Sequence, residues 1–173
     1  GNEWGHPEWI DFPREGNGWS YKYARRLWSL VDNGFLKYEF LNNFDNAMIH
    51  LISSVYNFQS LPVGKLWEKD DDQVLAFSRG DLIFVFNWHP FKSFDSYGIL
   101  TPPGEYEVVL SSDNPDFGGY GNVDESVHHF TIHDDLYSPI GVEWLKLYLP
   151  SRSAMVLRRK KQSRPRKSTS AKK

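Results

Sequence analysis

Val74-Leu75-Ala76-Phe77-Ser78 and Leu82-Ile83-Phe84-Val85-Phe86-Asn87 stand on either side of Arg79-Gly80-Asp81. Two short apolar runs rich in valine, isoleucine and phenylalanine, joined by three residues that include a glycine, read as a β-hairpin. Working outward, further strands are expected at Asp95 to Ile99, Tyr106 to Ser111, Val127 to His133, Trp144 to Leu149 and Ala154 to Arg158. Turn chemistry separates them at Pro102-Pro103-Gly104, Asp113-Asn114-Pro115 and Ser138-Pro139. Short strands at this spacing predict an all-β antiparallel sandwich.

Upstream of the hairpin the pattern is helical. Tyr23, Leu27, Leu30 and Val31 fall at i, i+4, i+7 and i+8 behind Ser20, predicting a helix stopped by Asn33-Gly34. A second helical run starts at Phe35, with Leu36 and Phe40 on one face. Asn43 or Asp45 is expected to recap it, and Met48, Leu51, Ile52 and Val55 continue the apolar stripe. Between helices and strands, Asn57 to Asp72 reads as a linker with Pro62, Gly64 and Asp70-Asp71-Asp72. The chain thus divides into residues 1–56, a linker at 57–72, a sandwich at 73–157 and a basic, disordered tail at 158–173.

With 173 residues, 40% of them apolar and 16% aromatic, the chain is long and apolar enough for one or two packed domains. Zero cysteines exclude a disulfide scaffold and thiolate zinc sites, and fit a reducing, cytoplasmic setting. No apolar run approaches the roughly 18 residues of a membrane span, so no membrane partner is expected. The net charge of −2 conceals an asymmetry. Residues 158–173 hold nine Lys/Arg and no acid, leaving 11 basic against all 22 acidic residues in 1–157, a formal −11. An acidic body argues against nucleic acid as the partner, because phosphate contacts need clustered cations.

The stretch Gly1 to Arg26 carries the densest chemistry: three tryptophans, four acids, two prolines and four glycines. Its first nineteen residues follow neither the helical nor the strand period, and Gly16-Asn17-Gly18 with the prolines breaks regular elements, predicting a long ordered loop. Such loops in compact domains are usually functional. Trp, Glu, Asp, Asn and Arg together suit sugar recognition: flat aromatic faces cover the apolar C–H faces of a pyranose, and charged or amide groups take up its hydroxyls. The alternative is an aromatic loop that only staples a core.

Gly1-Asn2-Glu3-Trp4-Gly5-His6-Pro7-Glu8-Trp9-Ile10-Asp11-Phe12-Pro13-Arg14, with Gly16-Asn17-Gly18-Trp19-Ser20-Tyr21 and Tyr23-Ala24-Arg25-Arg26, resembles the glycogen branching enzymes of the alpha-amylase superfamily. The resemblance continues through Leu36-Lys37-Tyr38, Phe40-Leu41-Asn42-Asn43-Phe44-Asp45, Phe86-Asn87-Trp88-His89-Pro90 and Tyr148-Leu149-Pro150-Ser151-Arg152. It implies an α+β fragment: residues 1–56 as the last loop and helices of a (β/α)8 barrel, followed by the C-terminal antiparallel sandwich. It also implies a glycosyltransferase that cuts an α-1,4-glucan and transfers the cut chain to a 6-hydroxyl. The family's nucleophilic Asp, acid/base Glu and second Asp lie upstream of Gly1, so no catalytic residue is expected here and the chain alone is expected to be inactive. Gly1 in place of an initiator methionine is expected of a piece of a longer protein. The substrate-framing candidates are Glu3, His6, Glu8, Trp9, Asp11, Arg14 and Trp19. The expected partners are an α-glucan and the remainder of the chain's own barrel, with no cofactor.

Two readings from other classes stand beside this one. A non-catalytic glucan-binding or assembly module is favoured by exposed Trp67, Trp88 or Trp144, and an interaction protein by the basic tail. Other motifs are weaker. Arg79-Gly80-Asp81 matches an adhesion tripeptide, but its turn explains Gly80. Gly118-Gly119-Tyr120-Gly121 lacks the Lys-Ser/Thr of a phosphate loop and reads as a flexible loop. His128, His129 and His133 do not converge on a strand, where His128 faces away from the other two, so no metal site is expected and His133-Asp134 takes no catalytic role.

Overall fold

The computed structural model describes residues 3–7 and 9–160. Among the described residues, eight strands form two antiparallel sheets. The larger holds, in spatial order, β1 (Val63–Lys69), β2 (Val74–Arg79), β3 (Leu82–Asn87), β8 (Ser153–Arg159), β5 (Glu105–Ser111) and β6 (His128–Phe130). The smaller pairs β4 (Phe94–Thr101) with β7 (Glu143–Leu149). β1 to β3 form a meander through the hairpin, while β8 lies between β3 and β5.

Alternation along the strands sorts side chains onto two faces. Val74, Ala76, Ile83, Val85, Val108, Met155 and Leu157 of the larger sheet meet Ile99, Leu145, Leu147 and Leu149 of the smaller one in the main core. On the opposite face Leu82, Leu110 and Val156 pack against the single described α-helix, α1 (Tyr38–Ser53), through Phe44, Ala47, Met48 and Leu51. Val108 and Leu110, two apart, face different cores because the β5–β8 register shifts between them. One extra residue on a strand turns the side chains after it to the other face. No described helix is long and apolar enough to cross a membrane.

The sandwich matches the sequence expectation; four details differ. The helix expected from Tyr23 to Val31 is absent, replaced by irregular chain and one 3₁₀ turn at Trp28–Leu30. Tyr23 of its stripe is exposed and the rest of it is only partly covered, and an amphipathic helix without a surface to pack on has little to hold it. α1 passes through Asn43 and Asp45 without a break, and the Asn43 amide donates outward to the Asp116 carbonyl at 3.4 Å. The linker passage contains β1, an edge strand whose mostly exposed side chains concealed its period. At the tail, Arg158 and Arg159 complete β8, and the Arg159 amide donates to the Asp81 carbonyl at 2.9 Å. The rest of the expected tail lies outside the described residues.

Candidate functional site

The loop begins on Trp4, fully buried against Tyr38 of α1 at 5.6 Å between ring centroids, with Trp28 at 5.8 Å and His6 edge-on at 4.9 Å. Trp4 is the stapling aromatic of the alternative reading; Trp9 and Trp19 are not. His6 is held by a backbone bond, its Nε2 accepting from the Leu27 amide at 3.1 Å. Glu3 pairs with Arg26 across the base of the loop. Its carboxyl is held below the usual range, first by hydrogen bonding to its own backbone and then by the Arg26 guanidinium.

Beyond this base, Asp11 organises the turn. Arg14 donates to it through Nε at 3.0 Å and Nη2 at 3.3 Å, and Asn17 through Nδ2 at 3.0 Å. These bonds, Arg14 first, hold the Asp11 carboxyl below its ordinary range. Asn17 also donates to the Phe12 carbonyl and accepts from the amides of Arg14 and Ser20, so one side chain ties four residues together. The Asp11 amide donates to the Tyr23 carbonyl at 3.0 Å, closing the loop at its other side.

That polar brace presents aromatic rings to solvent. Trp9 is 78% exposed and Trp19 67% exposed, with Phe12 and Tyr21 exposed beside them. Trp19 adopts φ +60°, in the left-handed region that a bulky side chain rarely occupies. Its amide bond to the Arg14 carbonyl at 3.0 Å holds it there. Backbone strain that displays a large ring tends to mark functional positions. Of the expected site residues, Asp11 and Arg14 touch each other directly, while Glu3 and His6 brace the base of the loop. Trp9 and Trp19 form its exposed surface, and Glu8 lies outside the described residues. The sequence reading passed over Asn17 and Arg26, the partners on which Asp11 and Glu3 depend. Gly16-Asn17-Gly18 was a signal for the first, because an asparagine between glycines is placed to bond its own backbone; the Glu3–Arg26 pair leaves no local signal.

Outside the loop the decoys resolve. Arg79 donates to the carbonyls of Leu61 at 3.1 Å and Gln59 at 2.7 Å and lies 4.4 Å from the Phe58 ring centroid, so the tripeptide is occupied by the fold. The glycine-rich loop is ordered, in contrast to the flexible loop expected. The amides of Tyr120, Asn122 and Val123 donate to the buried Asp113 carboxylate at 3.3, 2.5 and 3.0 Å, filling the position an anion would take in a phosphate loop. His128 lies 2.7 Å from Glu105 and His133 3.1 Å from Asp135. His129 is turned inward, and burial lowers its pKa. Among the described residues no three His, Cys, Asp or Glu side chains are arranged to hold a metal ion. Trp67 and Trp144 pack on each other at 5.7 Å, leaving Trp88 as the exposed tryptophan of the sandwich.

Comparison with known proteins places this geometry. The family described as "Alpha amylase, C-terminal all-beta domain" matches residues 67–160, from within β1 to the end of β8. The 1,4-alpha-glucan-branching enzyme of Yarrowia lipolytica is 45% identical over 168 residues, 92% of this chain and 23% of that protein. The chloroplastic/amyloplastic 1,4-alpha-glucan-branching enzyme of Oryza sativa subsp. japonica is 51% identical over 135 residues, 76% of this chain and 16% of that protein. A solved alpha-amylase from H.orenii aligns at 15% identity and a TM-score of 0.45, too low to carry the assignment. The chain spans about a quarter or less of the curated relatives it matches. The similarity to branching enzymes reaches well beyond residues 67–160. With its two-sheet frame and this match over more than half its length, the chain belongs to the alpha amylase C-terminal all-beta domain family.

Proposed function

We propose that this chain is the C-terminal part of a 1,4-alpha-glucan-branching enzyme, a glycosyltransferase of glycogen biosynthesis. The observation that carries the reading is 45% identity across 92% of the chain, which takes in the helix and much of the loop as well as the sandwich. In this reading residues 1–56 are the end of a (β/α)8 barrel, whose upstream strands hold the catalytic carboxylates. Those carboxylates cleave an α-1,4-glucan, keep the cut chain as a covalent glycosyl intermediate, and pass it to a 6-hydroxyl with retention of configuration. The loop contributes shape rather than chemistry. Trp9 and Trp19 offer ring faces to the glucan, and Asp11 with Arg14 fixes the turn between them. Glu3 and His6 set the angle at which the loop leaves the barrel, and Glu8 is a further substrate-framing candidate by its residue type.

The exposed rings support a second part of the proposal. Trp28 and Phe35, on the chain between loop and helix, face solvent although both are large and apolar. Apolar patches of this kind mark contact surfaces, and the remainder of the enzyme's own barrel is the partner that fits. The cysteine-free sequence suits a cytoplasmic enzyme.

The test is an iodine-staining assay on amylose. The intact enzyme is expected to shift the spectrum progressively, while residues 1–173 alone leave it unchanged, because removing the nucleophile of a retaining enzyme removes the covalent route. A spectral shift produced by the isolated chain, or none by the intact enzyme, overturns the reading.

A further inference from the structure

α1 covers only part of the outer face of the larger sheet. It packs on the cluster of Leu82, Leu110 and Val156, with Phe84 at the edge of that cluster, and beyond Phe84 the face continues as a row of rings. Phe77 stacks on Phe84 at 4.9 Å and 14°, Phe86 follows Phe77 at 6.0 Å and 22°, and Trp88 stacks on Phe86 at 5.2 Å and 15°. The row ends in solvent, with Trp88 56% exposed.

The mounting of Trp88 is rigid. Its amide donates to the Gln73 carbonyl at 2.9 Å. On one side of it Asn87, buried, donates to the carbonyls of Lys92, Leu149 and Pro150. On the other, His89 Nδ1 accepts from the amides of Phe91 and Lys92. The ring therefore loses little freedom when a ligand covers it, and preorganisation of this kind favours binding.

Beside the ring is a cleft of about 380 Å³ lined by Glu68, Lys69, Asp70, Gln73, Leu75 and Trp88. Strand register puts Glu68 opposite Leu75 and Leu75 opposite Phe86, so Glu68 shares the face of the ring row, while Asp70 and Gln73 border the cleft from the β1–β2 turn. A flat aromatic platform edged by carboxylates, an amide and an ammonium suits a ligand with an apolar ring face and a girdle of hydroxyls. It suits an apolar peptide poorly, because the rim charges would lose water without gaining partners.

We propose that this cleft is an accessory α-glucan subsite, in which Trp88 stacks on the C–H face of a glucosyl unit while Asp70 and Gln73 take up its hydroxyls. The ligand class rests on the branching-enzyme reading; the site itself rests on the ring row and its rim. It would hold a distant stretch of polymer on the sandwich, away from the chain being cut.

Affinity electrophoresis of the intact enzyme through native gels with and without glycogen tests the proposal. Wild type is expected to be retarded, and Trp88→Ala to bind about three- to tenfold more weakly, the range expected for one aromatic contact. Trp88→Phe should keep most of the retardation. Phe91→Ala, an exposed ring outside the cleft, should match wild type. Asp70→Ala, a surface change away from the ring row, should weaken retardation by about twofold or more; it carries the test should Trp88→Ala fold poorly. Wild-type retardation in both Trp88→Ala and Asp70→Ala overturns the subsite. So does a wild type that glycogen does not retard, or a Trp88→Ala that melts earlier yet is retarded normally, since its ring would then be covered by the chain itself. An enzyme that fails to branch amylose but shows Trp88-dependent retardation sinks the branching reading and leaves the subsite standing.

Discussion

Between Glu3 and Lys37 the one described side chain fully removed from solvent is Trp4, whereas the sandwich buries aliphatic residues from most of its strands. The loop keeps its shape through short polar bonds: Arg14 and Asn17 to Asp11, His6 to the Leu27 amide. The sandwich is held by apolar contacts between residues far apart in the chain. The contrast teaches that order and burial are separable. A segment braced by its own backbone and carboxylates can leave its rings in water, which a segment held by its core cannot.

Substitutions can break this contrast or sharpen it. The largest effect is expected in the core, where Leu145→Ala, at a fully buried position, should cost about 2–5 kcal/mol in denaturant unfolding. A cost below about 1 kcal/mol would mean that the two sheets close over the gap. Next is Gly119→Ala. A Cβ there would lie 2.1 Å from the Asp113 carbonyl carbon, so the loop wrapped around Asp113 must shift, at about 1–3 kcal/mol. Full stability in that variant would show that the Asp113 cradle is loose.

For Trp9→Ala the expected loss of stability is within about 0.5 kcal/mol, as for an exposed position. In the intact enzyme its effect should appear as weaker use of glucan. Kinetics and melting curves measured on the same variant separate the two effects, and a large drop in melting temperature with unaltered activity would make Trp9 a packing residue. The smallest effect concerns Asp72, whose carboxyl is held below its ordinary range chiefly by the Lys92 ammonium, and by the Tyr97 hydroxyl. A depressed carboxylate stabilises the fold above its unfolded pKa of about 3.9 and loses that contribution as pH falls through its folded value. Asp72→Asn should therefore flatten the acid side of the stability profile by no more than about 1 kcal/mol. An unchanged acid slope would show that the pair contributes nothing.

The sandwich was legible because β2, β3, β5, β7 and β8 each carry apolar runs or alternation that a half-buried strand requires. β1 was not, since an edge strand with Gly64 and exposed Lys65, Glu68 and Lys69 shows no apolar face. The helix expected near Tyr23 failed for a related reason: spacing states which residues could share a stripe, and only a neighbouring surface makes them do so. At the loop, residue types pointed to the right stretch, yet neither the burial of Trp4 nor the exposure of Trp9 and Trp19 could be read from three tryptophans of similar surroundings. That division depends on Tyr38 and Trp28 arriving from elsewhere in the chain.

β8, the last of the described strands in sequence, lies between β3 and β5 and is what joins the β1–β3 meander to the β5–β6 pair. Synthesis delivers those two groups first, as sheet fragments with open edges, and neither can complete its hydrogen-bonding ladder until Ser153–Arg159 has emerged. The larger sheet is therefore sealed only once its last strand has been made. A message cut short just before Ser153 would leave two unpaired edges facing each other across an empty slot, each a template for pairing with another chain.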